Sequence, residues 1–116
     1  VEFRPNTANI SGCAWQSVAG FVLGLNGGST PERYRIHVYN QTSTFSIRVE
    51  TGSNSFYDPT SGWEVKVSDF ITSESYLVQL ESLGGTPISA PVSVTFPQDC
   101  NANVAVVRFI QTRERG

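Results

Sequence analysis

The chain has 116 residues with eight basic and ten acidic side chains, a formal net charge of -2: enough for one ordinary core and too short for two. Seven Arg and one Lys scattered along it give no basic stripe for a phosphate backbone, and no apolar run reaches the roughly 18 residues of a membrane-spanning helix, so nucleic-acid binding and membrane insertion are both disfavoured. Val, Ile, Thr, Phe, Tyr and Trp number 42 against 17 for Ala, Leu, Lys, Gln and Met, a balance that favours strands over helices.

In chain order, residues 1–12 read as an arm ahead of a single domain, 13–116. Val1 and Phe3 alternate with Glu2 and Arg4 until Pro5 halts the run, and the arm can pair in cis or reach outward. Clusters of Gly, Pro, Asn and Ser then recur about every ten residues, with short alternating runs between them, the spacing of a sandwich or barrel. Seven strands are expected, near Val18–Leu25, Tyr34–Asn40, Phe45–Thr51, Trp63–Ser68, Ser75–Ser82, Val92–Phe96 and Val104–Thr112. No window carries a sustained helical period, so no substantial helix is expected. The expected fold is all-β: a seven-stranded antiparallel sandwich of prealbumin-like or immunoglobulin-like type.

The second and third of these runs predict a hairpin across Gln41-Thr42-Ser43-Thr44. The register that keeps apolar side chains together sets Val38 opposite Ile47 and Ile36 opposite Val49, with Arg35 facing Glu50 and His37 facing Arg48 on the other side. A one-residue slip would turn the apolar set into water. The last run differs: Val104, Val106 and Ile110 alternate with Ala105, Val107 and Phe109, so it is apolar on both faces and one face needs a cover. The opening strand, the arm or a neighbouring molecule could supply it. The tail Arg113-Glu114-Arg115-Gly116 is expected to be solvated.

Cys13 and Cys100 lie before the first and last long apolar runs, placed to staple them. Joined, they close 88 residues counted inclusively, about 4.5 kcal/mol in the chain-entropy picture, and point to an extracytoplasmic location. The alternative is two buried thiols. The chain starts at Val1, contains no Met and shows no basic-then-apolar leader, so it reads as mature or excised material. Asn9-Ile10-Ser11 and Asn40-Gln41-Thr42 fit the glycosylation acceptor pattern, which is too short to carry weight.

Reactive groups are sparse. His37 is the only histidine, flanked by Arg35 and Arg48, and reads as a surface residue rather than the base of a triad. One His and two paired Cys fall short of a zinc site, and Asp58, Asp69 and Asp99 stand singly, as turn residues do, rather than in a calcium loop. No carboxylate pair suggests glycoside hydrolysis. Gly27-Gly28 and Gly84-Gly85 read as turns, since neither opens a helix. A Lys–Asn crosslink would need a core lysine, whereas Lys66 alternates outward. No cofactor is implied. Among the aromatics, Tyr34, Phe45, Trp63, Tyr76 and Phe96 fall on inward positions. Tyr39, Trp15, Phe56 and Tyr57 do not, and the last three are candidates for stacking on a glycan.

Two stretches, Ser17-Val18-Ala19-Gly20-Phe21-Val22-Leu23-Gly24-Leu25-Asn26-Gly27-Gly28 with Arg35-Ile36-His37-Val38, and Ser61-Gly62-Trp63-Glu64 with Tyr76-Leu77-Val78-Gln79-Leu80, resemble the transthyretin-like, carboxypeptidase-regulatory-like domains of secreted and surface-attached bacterial proteins. The resemblance spans nearly the whole chain on weak motifs, and Ser29-Thr30-Pro31-Glu32-Arg33 replaces the family's small-residue run after the turn. It implies a seven-stranded sandwich with no catalytic site, serving as spacer, adhesion module or assembly unit.

The functional expectation is therefore a non-catalytic extracellular or cell-surface module whose partners are proteins, copies of itself or neighbouring domains. Its sharper form is a filament subunit whose arm adds a strand to a neighbour, with Val1, Phe3, Val107 and Phe109 as contacts. The alternative is a carbohydrate-binding module presenting Trp15, Phe56 or Tyr57.

Overall fold

A computed structural model describes residues 1–25, 27–28, 30, 32–42 and 44–111 of the chain. Among these residues eight strands form two four-stranded sheets. The first holds β1 (Glu2–Arg4), β8 (Val104–Ile110), β2 (Gln16–Leu23) and β5 (Trp63–Ser68), in that order. The second runs β4 (Ser46–Glu50), β3 (Arg35–Tyr39), β6 (Ser75–Glu81), β7 (Val92–Thr95). Among the described residues the one helical element is a 3-10 turn at Cys100–Ala102, capped by the Asp99 side chain accepting from the Asn101 N–H. Asp58 likewise receives the N–H groups of Thr60 and Ser61, as a turn-starting residue does.

All seven expected strands form, and the β3–β4 ladder has the expected register, with Val38 opposite Ile47, Ile36 opposite Val49 and Arg35 opposite Glu50. Two features correct the expectation. The strand count is eight, because Glu2–Arg4 pairs antiparallel with Val104–Val106 of its own chain. The sandwich is also not wholly antiparallel, because β2 and β8 run parallel over Ser17–Leu23 and Val104–Ile110. Side-chain alternation has the same period whichever way a strand points, so it carries no information on direction. The signal was the two-faced apolarity of β8, which suits a strand inside a sheet and covered on both sides. Asn26, the first residue of the expected Asn-Gly turn, together with Ser29, Pro31 and Ser43, Thr112 at the end of the last expected strand and the charged tail, lies outside the described residues.

The core lies between the sheets. Trp63, Phe96, Ile36, Val18, Val38 and Val78 are fully buried in it, joined by Tyr34, Tyr76, Val107 and Phe109. Tyr76 sits edge-on to both Phe45 and Phe96, and Phe3 packs edge-on to Phe96 from the arm. Where β2 passes β8, a Cβ on Gly20 would lie 1.8 Å from the Val107 carbonyl oxygen and 3.0 Å from the Trp63 ring, so only glycine fits that crossing. On the outer face of the first sheet a smaller cluster covers the second side of β8: Ala19, Val104 and Val106 are buried beneath Trp15, Phe21 and Tyr57. The cover that β8 required therefore comes from within the chain.

Candidate functional site

The corner where the arm meets the sandwich is fastened twice. Cys13 and Cys100 are joined, their Cα atoms 5.2 Å apart. Beside them the buried Asn103 side chain accepts the Asn6 N–H at 2.7 Å and donates to the carbonyls of Gly12 and Trp15, each at 2.9 Å. These bonds span 88 or more residues of sequence and hold the end of the arm against the start of β8.

From this corner β8 runs along the rim of the first sheet. Ser17 N–H donates to Asn103 O and Gln111 N–H to Leu23 O. In a parallel ladder both backbone groups of a residue turn to the same neighbour. Ala105, Val107 and Phe109 therefore face β2, and Val104, Val106, Arg108 and Ile110 turn their N–H and C=O groups to the β1 side. β1 meets only Val104–Val106. Arg108 and Ile110 are left, among the described residues, with no strand beside them. A groove of about 410 Å³ opens there, lined by Val1, Glu2, Phe21, Val106, Arg108 and Ile110 among others. Val1 and Ile110 are exposed at its rim, at 63% and 51%. The Arg108 guanidinium is exposed and has no described carboxylate within ion-pair distance, the Glu2 carboxylate being held by Arg4 at 3.0 and 3.2 Å. Arg4 holds the Glu2 carboxyl below the usual carboxylate range, first by hydrogen bonding and then by charge.

Of the contacts expected at this edge, Val107 and Phe109 point into the main core and Phe3 packs on it, whereas Val1 stays exposed. The apolar side chain of β8 that remains outside is Ile110, which alternation had placed on the opposite face to Phe109.

The structure also joins residues that the sequence left apart. Ser46 Oγ lies 2.8 Å from His37 Nε2, His37 Nδ1 lies 3.6 Å from Glu81 Oε2, and the Arg48 guanidinium donates to Glu81 Oε1 at 3.1 Å. His37 stacks on Tyr39, ring centroids 4.4 Å apart. Burial, and then the Arg48 charge, hold the imidazole below its usual pKa against the opposing pull of Glu81, so it is neutral at neutral pH. The order of groups is that of a nucleophile, base and carboxylate, yet 3.6 Å exceeds hydrogen-bond reach, and the backbone of β3 and β6 beside His37 is engaged in the ladder rather than aimed at an oxyanion. What the cluster does is tie β3, β4 and β6 together. Glu81 was missed because alternation along β6 places it outward. The hint lay in the paired register, which sets it beside Arg35.

The stacking candidates separate. Trp15 and Tyr57 are half-buried in the outer cluster, Phe56 is 57% exposed, and the Phe56 and Tyr57 rings stand at 74°. Lys66 Nζ lies 5.5 Å from the centroid of the Trp15 ring. Glu64 holds the loop down: its Oε2 accepts from Ser17 Oγ at 2.7 Å and from the Tyr57 hydroxyl at 3.0 Å. Burial, reinforced by Glu64, pushes the Tyr57 hydroxyl far above its usual pKa. Among the described residues no group of three His, Cys, Asp or Glu is placed to hold a metal ion, and no helix is long and apolar enough to cross a membrane. A scan against protein-family models matches no family, and a search of curated proteins returns no match.

Proposed function

We propose that the chain is a non-catalytic, extracellular or cell-surface sandwich module of the transthyretin-like kind that acts by contact with other proteins, chiefly copies of itself, and builds a surface filament or array. The observation that carries this reading is the open backbone edge at Arg108 and Ile110, set in a groove beside the exposed Val1 and Ile110 side chains. Sheet edges bearing unpaired backbone groups take up further strands. The Cys13–Cys100 bond supports an oxidising location.

The arm supplies one route to assembly. Its first six residues rest on β8 through a three-residue ladder, the Asn6–Asn103 bond and the Phe3 ring against Phe96, so exchange of this stretch with a neighbour's would reproduce those contacts. The glycan reading has narrower support, namely the exposed Phe56 ring. Electron microscopy of concentrated protein tests the assembly reading. Filaments or arrays are expected, and a field of compact monomers at every concentration overturns it. Binding of a polysaccharide on a glycan array, lost in Phe56→Ala, would favour the second reading.

A further inference from the structure

β4 is the end strand of the second sheet. Asn40 N–H donates to Phe45 O and Thr51 N–H to Tyr34 O. These two bonds set the alternation of the antiparallel ladder, so Phe45, Ile47, Val49 and Thr51 face β3. Ser46, Arg48 and Glu50 turn their backbone groups to the free side, where the Glu50 carbonyl also accepts from Ser53 Oγ at 2.6 Å and keeps its second lone pair for a neighbour. Among the described residues the end strands β4, β5 and β7 and the uncovered part of β8 all present free edges; those of β4 and β8 lie on opposite flanks, and on both the residues with outward backbone groups carry outer-face side chains.

Resting on the self-contact reading, we propose that β4 of one copy adds antiparallel to the open part of β8 in the next, with Glu50 opposite Arg108, Val49 opposite Phe109 and Arg48 opposite Ile110. Chirality dictates the direction. Only the antiparallel placement turns the open groups of both strands toward each other while keeping both outer faces on one side. The second sheet of one copy then continues the first sheet of the next. Charge selects the register. Glu50 and Arg108 have no ion-pair partner among the described residues, and they become a cross-strand pair, whereas a shift of two residues would set Arg48 against Arg108. Arg48 stays with Glu81. The chain fits at the end of the seat because β4 stops at Glu50 and turns at Gly52, whose φ is 83°. β1 begins at Glu2, so among the described residues it is the exposed Val1 that has to swing aside. Because the two edges differ, the contact is head-to-tail and propagates rather than closing into a two-fold pair.

Charge reversal tests the pairing in the full chain. Arg108→Glu and Glu50→Arg are each expected to weaken self-association by about tenfold in sedimentation velocity, since each sets like charges opposite. Mixed in equal amounts the two variants are expected to assemble again, alternating along the chain, because every junction then holds opposite charges. That recovery also shows that both variants are folded. If the wild type assembles and either variant assembles as well as it does, or the mixture stays dissociated while each variant melts as the wild type does, this pairing is wrong and the broader reading stands. If the wild type remains monomeric throughout, the broader reading fails with it.

Discussion

Replacing Asn103 with Ala removes three hydrogen bonds at a fully buried point: the acceptor for Asn6 N–H and the two donations to Gly12 and Trp15 carbonyls. Each such bond contributes about 1 kcal/mol net, and the part-buried partners left behind add to that, least at the exposed Gly12 carbonyl that Asn6 Nδ2 also reaches, so a total loss of about 3–5 kcal/mol is expected. With an unfolding entropy of about 2.1 cal/mol/K per residue, that corresponds to a Tm lowered by about 12–20 °C. Calorimetry reads this directly, and hydrogen exchange should show faster exchange at the Asn6 amide. Asn103→Asp sharpens the test because it keeps the shape but sets a carboxylate against two carbonyls. Its folded pKa is then raised above the unfolded value of about 3.9, so the stability gained by protonation is present below that value and lost as pH rises through the folded pKa. The deficit of Asn103→Asp relative to the wild type should therefore shrink toward pH 4 and widen toward pH 7. A Tm within about 3 °C of the wild type for Asn103→Ala, less than 1 kcal/mol on the same scale, would refute the claim that this side chain holds the corner.

Three further outcomes are expected. Reducing Cys13–Cys100, or replacing both with Ala, should cost about 4.5 kcal/mol on the loop-closure estimate and lower the Tm by about 15–20 °C; an unchanged melt would show that the staple constrains nothing. Gly20→Ala, whose new methyl meets the Val107 carbonyl oxygen at 1.8 Å, should abolish cooperative unfolding or lower the Tm more than a typical surface change, as near-ultraviolet circular dichroism would reveal. The His37 imidazole should titrate below 6.5 by NMR; because the folded form prefers it neutral, its contribution to stability is present above the unfolded pKa and lost as pH falls through the folded one. A midpoint at or above 6.5 would contradict the burial argument.

The sandwich layers were legible because burial on one face of a strand imposes a period of two, which the β3–β4 register displays residue by residue. What escaped was whatever depends on long-range docking. β1 has three residues, and its pairing is decided by Val104–Val106 a hundred positions away. The outer cover of β8 comes from Trp15 and Tyr57, delivered by loops whose path no local pattern encodes. Asn103 sits in a polar stretch that reads as a turn, and its importance appears only once Asn6, Gly12 and Trp15 surround it. The docking edge itself was half visible. Alternation marked β8 as unusual, but which backbone groups stay open follows from the parallel pairing with β2, which alternation does not report.

Residue-resolved hydrogen exchange at the Arg108 and Ile110 amides, in dilute protein and at about 1 mM where contacts near -4 kcal/mol become populated, reads whether the β8 edge is a docking edge. Both amides are expected to exchange freely when dilute and to slow markedly on concentration, while Val107 and Phe109, bonded to β2, stay protected throughout. Arg108 and Ile110 amides that exchange at one unchanging rate across that range would contradict docking at that edge.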